Sequence, residues 1–243
     1  MSVKIYGIQK LTLLDFPDRV ACSIFLGGCN FACPYCHNGS LVKMSSEAVM
    51  NEKELITFLE SRRGRLQGVC ISGGEPTLHP ELPELMKRIK SLGFLIKLDT
   101  NGTNPHMLEN LIADGLVDCV AMDIKNSPDK YAQTVGLGEC EIRNSECEID
   151  RAKLLIEKVK KSAAILLQGR VEFEFRTTLV KELHNIENIE SIGKWLSGDE
   201  KYYLQTYRDE GEQLVGGLTP FTPEQTGELL DALRRYIPNA QLR

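Results

Sequence analysis

Short apolar runs alternate with longer segments of helical periodicity along the whole chain. Residues 20–26, 68–72, 94–98, 117–121, 171–180 and 202–207 read as strands, each an apolar stretch too short for a core helix. Between them, apolar positions recur with helical spacing. The first helix begins at Asn51, an N-cap with Glu54 three residues on, and buries Leu55, Phe58 and Leu59. The second runs from Pro80 to about Leu92, and a third is capped by Asn104-Pro105 and closed by Gly115. A charged helix spans about 148–164, with Ile149, Ala152, Leu155, Ile156 and Val159 on one stripe. A helix around Trp195 follows, and Thr222-Pro223-Glu224-Gln225 opens the last one with a capping box. Residues 1–19 read as a lead-in, with Asp15-Phe16-Pro17-Asp18 as a turn.

Alternating strands and helices argue for a parallel sheet. The six strand–helix units are fewer than the eight of a closed barrel. No linker or low-complexity segment interrupts them, so residues 1–243 read as one domain, with 20–243 as its body. At 243 residues and 42% apolar, the chain can bury a full core. A net charge of −5 without a Lys/Arg block argues against a nucleic-acid partner. No apolar run approaches the roughly 20 residues of a membrane helix, and Met1–Tyr6 lacks the apolar core of a signal peptide. The expected location is the cytoplasm, where thiols stay reduced.

Candidate chemistry centres on Cys29, Cys33 and Cys36, spaced C-x₃-C-x₂-C just after the first strand. One loop can bring three thiolates to a common centre, and soft thiolates suit iron–sulfur clusters, zinc or copper. A [4Fe–4S] cluster held by three cysteines leaves one iron open to a non-protein ligand. Two other readings compete. Cys33-Pro34-Tyr35-Cys36-His37 matches the C-x-x-C-H of haem attachment, which belongs outside the cytoplasm. A structural zinc site would want a fourth ligand at short spacing, and His37 is too close to Cys36 to serve easily. Cys22, Cys70 and Cys119 lie in apolar runs and read as core. Cys140 and Cys147 sit in a polar, Glu-rich stretch and are harder to assign to the core.

The loop, with Tyr35 just before the last cysteine, resembles that of the radical S-adenosylmethionine (SAM) superfamily. Cys36-His37-Asn38 resembles the glycyl-radical-enzyme activases within it. The flanking Leu11-Thr12-Leu13-Leu14-Asp15-Phe16-Pro17-Asp18 and Phe25-Leu26-Gly27-Gly28-Cys29 are similar to the branch that activates anaerobic ribonucleoside-triphosphate reductase. The resemblance implies a partial (β/α)₆ barrel, open on one side, with SAM on the fourth iron and Tyr35 and His37 beside it. Because residues 39–51 lack the further cysteine quartets that some such activases carry there, it implies a single cluster.

The remaining polar motifs stand at strand ends, where parallel α/β folds place their ligands. Gly73-Gly74-Glu75-Pro76 offers backbone without Cβ atoms, and in this context matches the superfamily's motif for SAM's amino group. Asp99-Thr100-Asn101-Gly102 follows the third strand, and alone would be an Asn-Gly turn. Asp123 and Lys125 alternate with apolar neighbours and so share a side of their strand. Lys125 suits SAM's carboxylate or ribose; Asp123 can accept from hydroxyls or bind a metal ion. Arg176 fits either SAM's carboxylate or a structural ion pair. The sixth strand lacks the histidine that related formate-lyase activases place near the ribose, which leaves Gln205 or Tyr207 for that contact. Asp99, Thr100 and Asp123 also suggest a monovalent cation, because two converging carboxylates need positive charge. His79 reads as part of a helix cap, and His106 and His184 as exposed loop residues.

The resemblance implies reductive cleavage of SAM and hydrogen abstraction from a glycine of a partner glycyl-radical enzyme. The electron comes from a flavodoxin- or ferredoxin-type donor. The rival readings are a radical SAM enzyme acting on a small molecule and a metal protein without SAM.

Overall fold

The structure is a computed structural model that describes residues 3–43, 47–137, 145–198, 200–209, 211 and 213–243. One nine-stranded sheet runs through it, flanked by helices. Strand β1 (Lys4–Thr12) lies antiparallel between β2 (Ala21–Leu26) and the two-residue β3 (Met50–Asn51). From β2 onward the sheet is parallel: β4 (Gly68–Gly73), β5 (Leu95–Thr100), β6 (Cys119–Asp123), β7 (Glu172–Leu179), β8 (Tyr202–Thr206) and the short β9 (Gln241–Leu242). Its two edges, β3 and β9, do not pair with one another, so the barrel is open. Residues 1–19 are thus more than a lead-in. Their β1 extends the sheet past β2, a role that its alternation of exposed lysines with glycine and isoleucine conceals.

The helices fall where the capping chemistry places them. After the one-turn α1 (Gly39–Val42), α2 (Glu52–Ser61) starts from Asn51, whose Oδ1 accepts from the Glu54 amide at 3.1 Å while its own amide donates to Glu54 Oε2 at 2.8 Å. A 3₁₀ turn, Pro76–Leu78, precedes α3 (Leu82–Ser91), and Asn104 caps α4 (Pro105–Ala113). The one-turn α5 (Tyr131–Thr134) and the long α6 (Ser145–Leu166) follow. Then come α7 (Ile186–Trp195) and α8 (Pro223–Arg234), the latter with the expected Thr222–Gln225 box. Cys140 lies outside the described residues, as does the side chain of Cys147 in α6. Among the described residues no helix is long and apolar enough to cross a membrane.

The strand pleat sorts residues into two compartments. One parity faces the helices: Cys22, Ile24 and Leu26, Val69 and Ile71, Ile96 and Leu98, Val120 and Met122, Tyr202 and Leu204 belong to one continuous buried cluster with the helix leucines. The other parity faces the barrel interior and is small or charged: Ser23, Cys70, Lys97, Asp99, Ala121, Asp123, Glu174 and Arg176. A separate small cluster of Phe16, Ala21 and Cys119, with Leu95 against it, closes the barrel at the N-terminal ends of the strands. Phe16 is therefore a plug carried by the Asp15–Asp18 turn. Gly68 makes room for it, because a Cβ there would stand 2.7 Å from the Phe16 ring.

Phe16→Ala should destabilise the fold by about 3–5 kcal/mol in urea unfolding, the usual loss for an emptied aromatic site. Gly68→Ala should cost about 1–3 kcal/mol by overpacking and become nearly neutral when Phe16 is also Leu. An unchanged cost of Gly68→Ala in that background would show that the ring is not what the glycine accommodates.

Candidate active site

A cavity of about 400 Å³ opens at the C-terminal ends of the parallel strands. The loop after β2 brings Cys29, Cys33 and Cys36 to it, with Tyr35 and His37. The ends of β4 and β5 contribute Gly73, Gly74, Asp99, Thr100 and Asn101. From the next three strands come Asp123 and Lys125, Arg176, and Gln205. Of the residues expected at the site, only Glu75 and Tyr207 stay outside the lining. Sequence reading missed Asp15, Phe31, Ser72 and Thr178, which also line it.

The cysteine loop is fixed from several directions. The Gly28 amide donates to Leu41 O (3.0 Å), the Ala32 amide to Val135 O (2.9 Å), and the Val215 amide to Pro34 O (3.1 Å). Asn38 Nδ2 donates to Gly73 O at 3.1 Å, and His79 Nε2 donates to the Gly27 carbonyl at 2.9 Å. Two donors already point at sulfur: the Phe31 amide, 3.4 Å from Cys29 Sγ, and Asn101 Nδ2, 3.9 Å away. Burial pushes the Cys33 thiol up to about 12 and raises Cys29 as well. Without the charge of a metal, these two sulfurs hold their protons, and loading one releases them. Among the described residues no three His, Cys, Asp or Glu side chains converge as a single metal ion would require. The cysteines instead share one roomy cavity, a donor set that fits a polynuclear iron–sulfur centre better than mononuclear zinc. The Tyr35 hydroxyl, buried at its wall, has no hydrogen-bond partner among the described residues.

The glycine pair has a reason to be bare that differs from direct ligand contact. A Cβ on Gly74 would lie 1.9 Å from Gly28 O, and one on Gly73 (φ +124°) 2.2 Å from Leu26 O. The loop after β4 rests directly on the backbone leading to Cys29, held by Gly74 N–H to Leu26 O (2.9 Å) and Glu75 N–H to Gly28 O (2.8 Å). Glu75 does not line the cavity. Its carboxylate is fully buried behind the wall and accepts four hydrogen bonds. Oε1 takes the Thr77 amide (3.0 Å), the Thr77 hydroxyl (2.5 Å) and the Thr100 hydroxyl (2.7 Å); Oε2 takes the Asn101 amide (2.6 Å). Burial nevertheless holds its pKa above the ordinary carboxylate value. Glu75 ties the two glycine-bearing strand ends together. Asn101 in turn holds Asn30 Oδ1 at 2.9 Å.

Asp99 and Asp123 do come together, as their strand positions imply, and Arg176 lies between them. Its Nη2 is 3.5 Å from Asp99 Oδ2 and 3.0 Å from Asp123 Oδ1, while Lys97 donates to Asp99 at 2.5 Å and Lys125 to Asp123 at 3.0 Å. Burial opposes both carboxylates, but Arg176 and the lysines more than compensate, and Asp123 titrates at about 2. The positive charge that motivated a monovalent cation is therefore supplied by the protein's own side chains. Arg176 takes the ion-pair role of its two alternatives. His184, expected on an exposed loop, is buried; it accepts from the Val180 amide (3.1 Å) and donates to the Lys125 carbonyl (2.9 Å), fixing the backbone under that lysine. Tyr207 packs its ring behind His37, centroids 5.9 Å apart, so only Gln205 of the pair reaches the cavity.

An open parallel barrel with three clustered cysteines at its C-terminal rim defines a class, and comparison with known proteins agrees. Residues 23–192 match the radical SAM superfamily, and the chain belongs to it. A Methanocaldococcus jannaschii protein named as a glycyl-radical enzyme activating enzyme is 32% identical over 100% of this chain and 97% of its own. The pyruvate formate-lyase-activating enzyme of Clostridium pasteurianum is 25% identical, covering 82% of this chain and 85% of its own. Among solved structures, a radical SAM methyltransferase from Sphaerobacter thermophilus superposes with a TM-score of 0.66 at 21% identity, over 96% of this chain and 68% of that one. Streptococcus suis SuiB bound to S-adenosylmethionine gives 0.64 at 14% identity, over 89% and 48%. Membership brings a [4Fe–4S] cluster and SAM as cofactors.

Gly74→Ala should lower iron content and SAM binding together, since the added carbon strikes the backbone beside Cys29. Retention of about four irons per chain with SAM binding alone lost would mean that the glycine faces the ligand instead. Glu75→Gln, although isosteric, should destabilise by about 1–3 kcal/mol. Both carboxylate oxygens face a backbone N–H, so the amide must set a donor against a donor. Urea unfolding at neutral pH measures this, and a loss under 0.5 kcal/mol contradicts it.

Proposed function

We propose that this chain activates a glycyl-radical enzyme by abstracting hydrogen from the α-carbon of a partner's glycine. The partner is anaerobic ribonucleoside-triphosphate reductase, and the electron comes from a flavodoxin- or ferredoxin-type donor. Support for a protein substrate begins with the turn after β1. The Thr12 hydroxyl accepts from the Leu14 and Asp15 amides, each at 3.2 Å, which shapes a tight turn. That turn sends Asp15 inward to Ser23 and the cavity, and leaves Leu13 and Leu14 67% and 83% exposed. Adjacent leucines this exposed, just past the end of β1 opposite Ala21, suit contact with another macromolecule. The same segment carries the likeness to reductase activases, and full-length relatives bear the activase name.

Bound in the cavity, the cluster and SAM supply a hydrogen-abstracting carbon radical through one-electron cleavage of the sulfonium. Cys29, Cys33 and Cys36 hold the cluster by three irons. Lys125 sets an ammonium on the cavity floor against SAM's anionic or hydroxyl groups, and Gln205 faces them from β8. The Tyr35 hydroxyl, without a hydrogen-bond partner among the described residues, is available to the bound ligand. Asp15, held by Ser23, adds a carboxylate to the cavity lining.

Anaerobic incubation of the reduced enzyme with SAM and the reductase should give a glycyl-radical doublet by electron paramagnetic resonance. Leu13→Ser with Leu14→Ser should raise KM for the partner about tenfold while leaving partner-independent SAM cleavage unchanged. No glycyl signal, together with 5′-deoxyadenosine release stimulated by a small molecule, would overturn the reading.

A further inference from the structure

The interior of this barrel is filled by charge rather than by layers of aliphatic side chains. Starting at the closed end, Arg243 Nη1 meets Glu174 Oε1 at 3.1 Å, and Lys97 Nζ lies 3.9 Å from that same oxygen. Lys97 then donates to Asp99, whose other oxygen faces Arg176, and Arg176 reaches Asp123 through both Nε and Nη2 at 3.0 Å. Asp123 accepts from Lys125 at 3.0 Å. The signs alternate without a break along a column whose last four members, Asp99, Arg176, Asp123 and Lys125, line the cavity. Lys97, with 1% of its side chain exposed, is its most enclosed cation.

At the column's enclosed middle, Lys97 and Glu174 are 1% and 3% exposed, so little water reaches them to absorb a missing charge and their neighbours' positions depend on them. Arg176 is shared between two carboxylates. It stands 3.5 Å from Asp99 and 3.0 Å from Asp123, and each carboxylate has a lysine on its other side, Lys97 for Asp99 and Lys125 for Asp123. Without Lys97, Asp99 draws Arg176 toward itself, and Asp123 is left with Lys125 as its main cation. Lys125 is then bound more tightly to Asp123 and less available to an anion in the cavity. We propose that Lys97, which does not line the cavity, and Arg243 at the far end are positioning residues. They set how much of the Lys125 ammonium is free to meet the carboxylate of SAM. Neither residue touches the ligand.

The test reads SAM binding, not radical transfer, so its outcome is independent of which partner the enzyme activates. SAM is titrated into the reconstituted, reduced enzyme and followed by the change in the cluster's paramagnetic spectrum. Lys97→Met should weaken SAM binding about tenfold with iron content equal to wild type. In a Lys125→Met background the same change should add less than twofold, because the route to the ligand is already cut. A second tenfold loss in that background would mean a general structural defect, and wild-type affinity in Lys97→Met would mean no coupling; either result overturns the proposal. Should Lys97→Met fail to load iron, Arg243→Leu carries the same cycle from the partly exposed end of the column. It should cost two- to threefold in the wild type and nothing in Lys125→Met, and independence from Lys125 again refutes the proposal.

Discussion

The site rests on a contact between two pieces of backbone. Where the loop after β4 lies on the residues leading to Cys29, no atom separates the two chains beyond their own peptide groups, and two hydrogen bonds lock them. The register of β2 against β4, Leu26 opposite Gly73, is what aligns them. From that point the cysteine loop hangs on one side and the buried Glu75 carboxylate reaches the end of β5 on the other. The position of the sulfurs is thus inherited from strand pairing, the most rigid relation the fold contains. A cluster-binding loop, which is short and rich in irregular backbone, gains its precision from the sheet rather than from itself.

Glu75 illustrates how a motif can be legible while its mechanics are not. The tetrapeptide announces a strand end near a ligand, and the structure brings it there. A sequence cannot show that four donors converge on one carboxylate, because Thr77, Thr100 and the Asn101 amide meet only through tertiary packing. The same holds for Gly74, whose neighbour across the gap is 46 residues away in the chain.

Strands and caps were readable because they are local. The Asn51 and Thr222 boxes and the six parallel strands stand within a residue or two of where periodicity places them. Strand β1 was not, since its exposed, lysine-bearing face gives no apolar alternation, and neither was β9, which is two residues long. Lys97 carried a usable signal that went unread: a lysine inside an apolar strand, two residues before Asp99, must share its face. Glu174 and Arg176 repeat the pattern on β7. Together these alternations spell a polar interior. His184 carried none, because what buries it is the loop after β6, distant in sequence.

Phe16 and the ion column leave the barrel filled from below, so the cavity opens at the C-terminal ends of the strands. Everything that reaches the cysteines, and everything that leaves, crosses those strand ends. Traffic through one opening imposes an order. Cofactor must enter before a large substrate covers the mouth, and spent cofactor departs only after that substrate withdraws. The aromatic ring at the far end thus gives the enzyme a timetable, although it lies a full strand length from the chemistry.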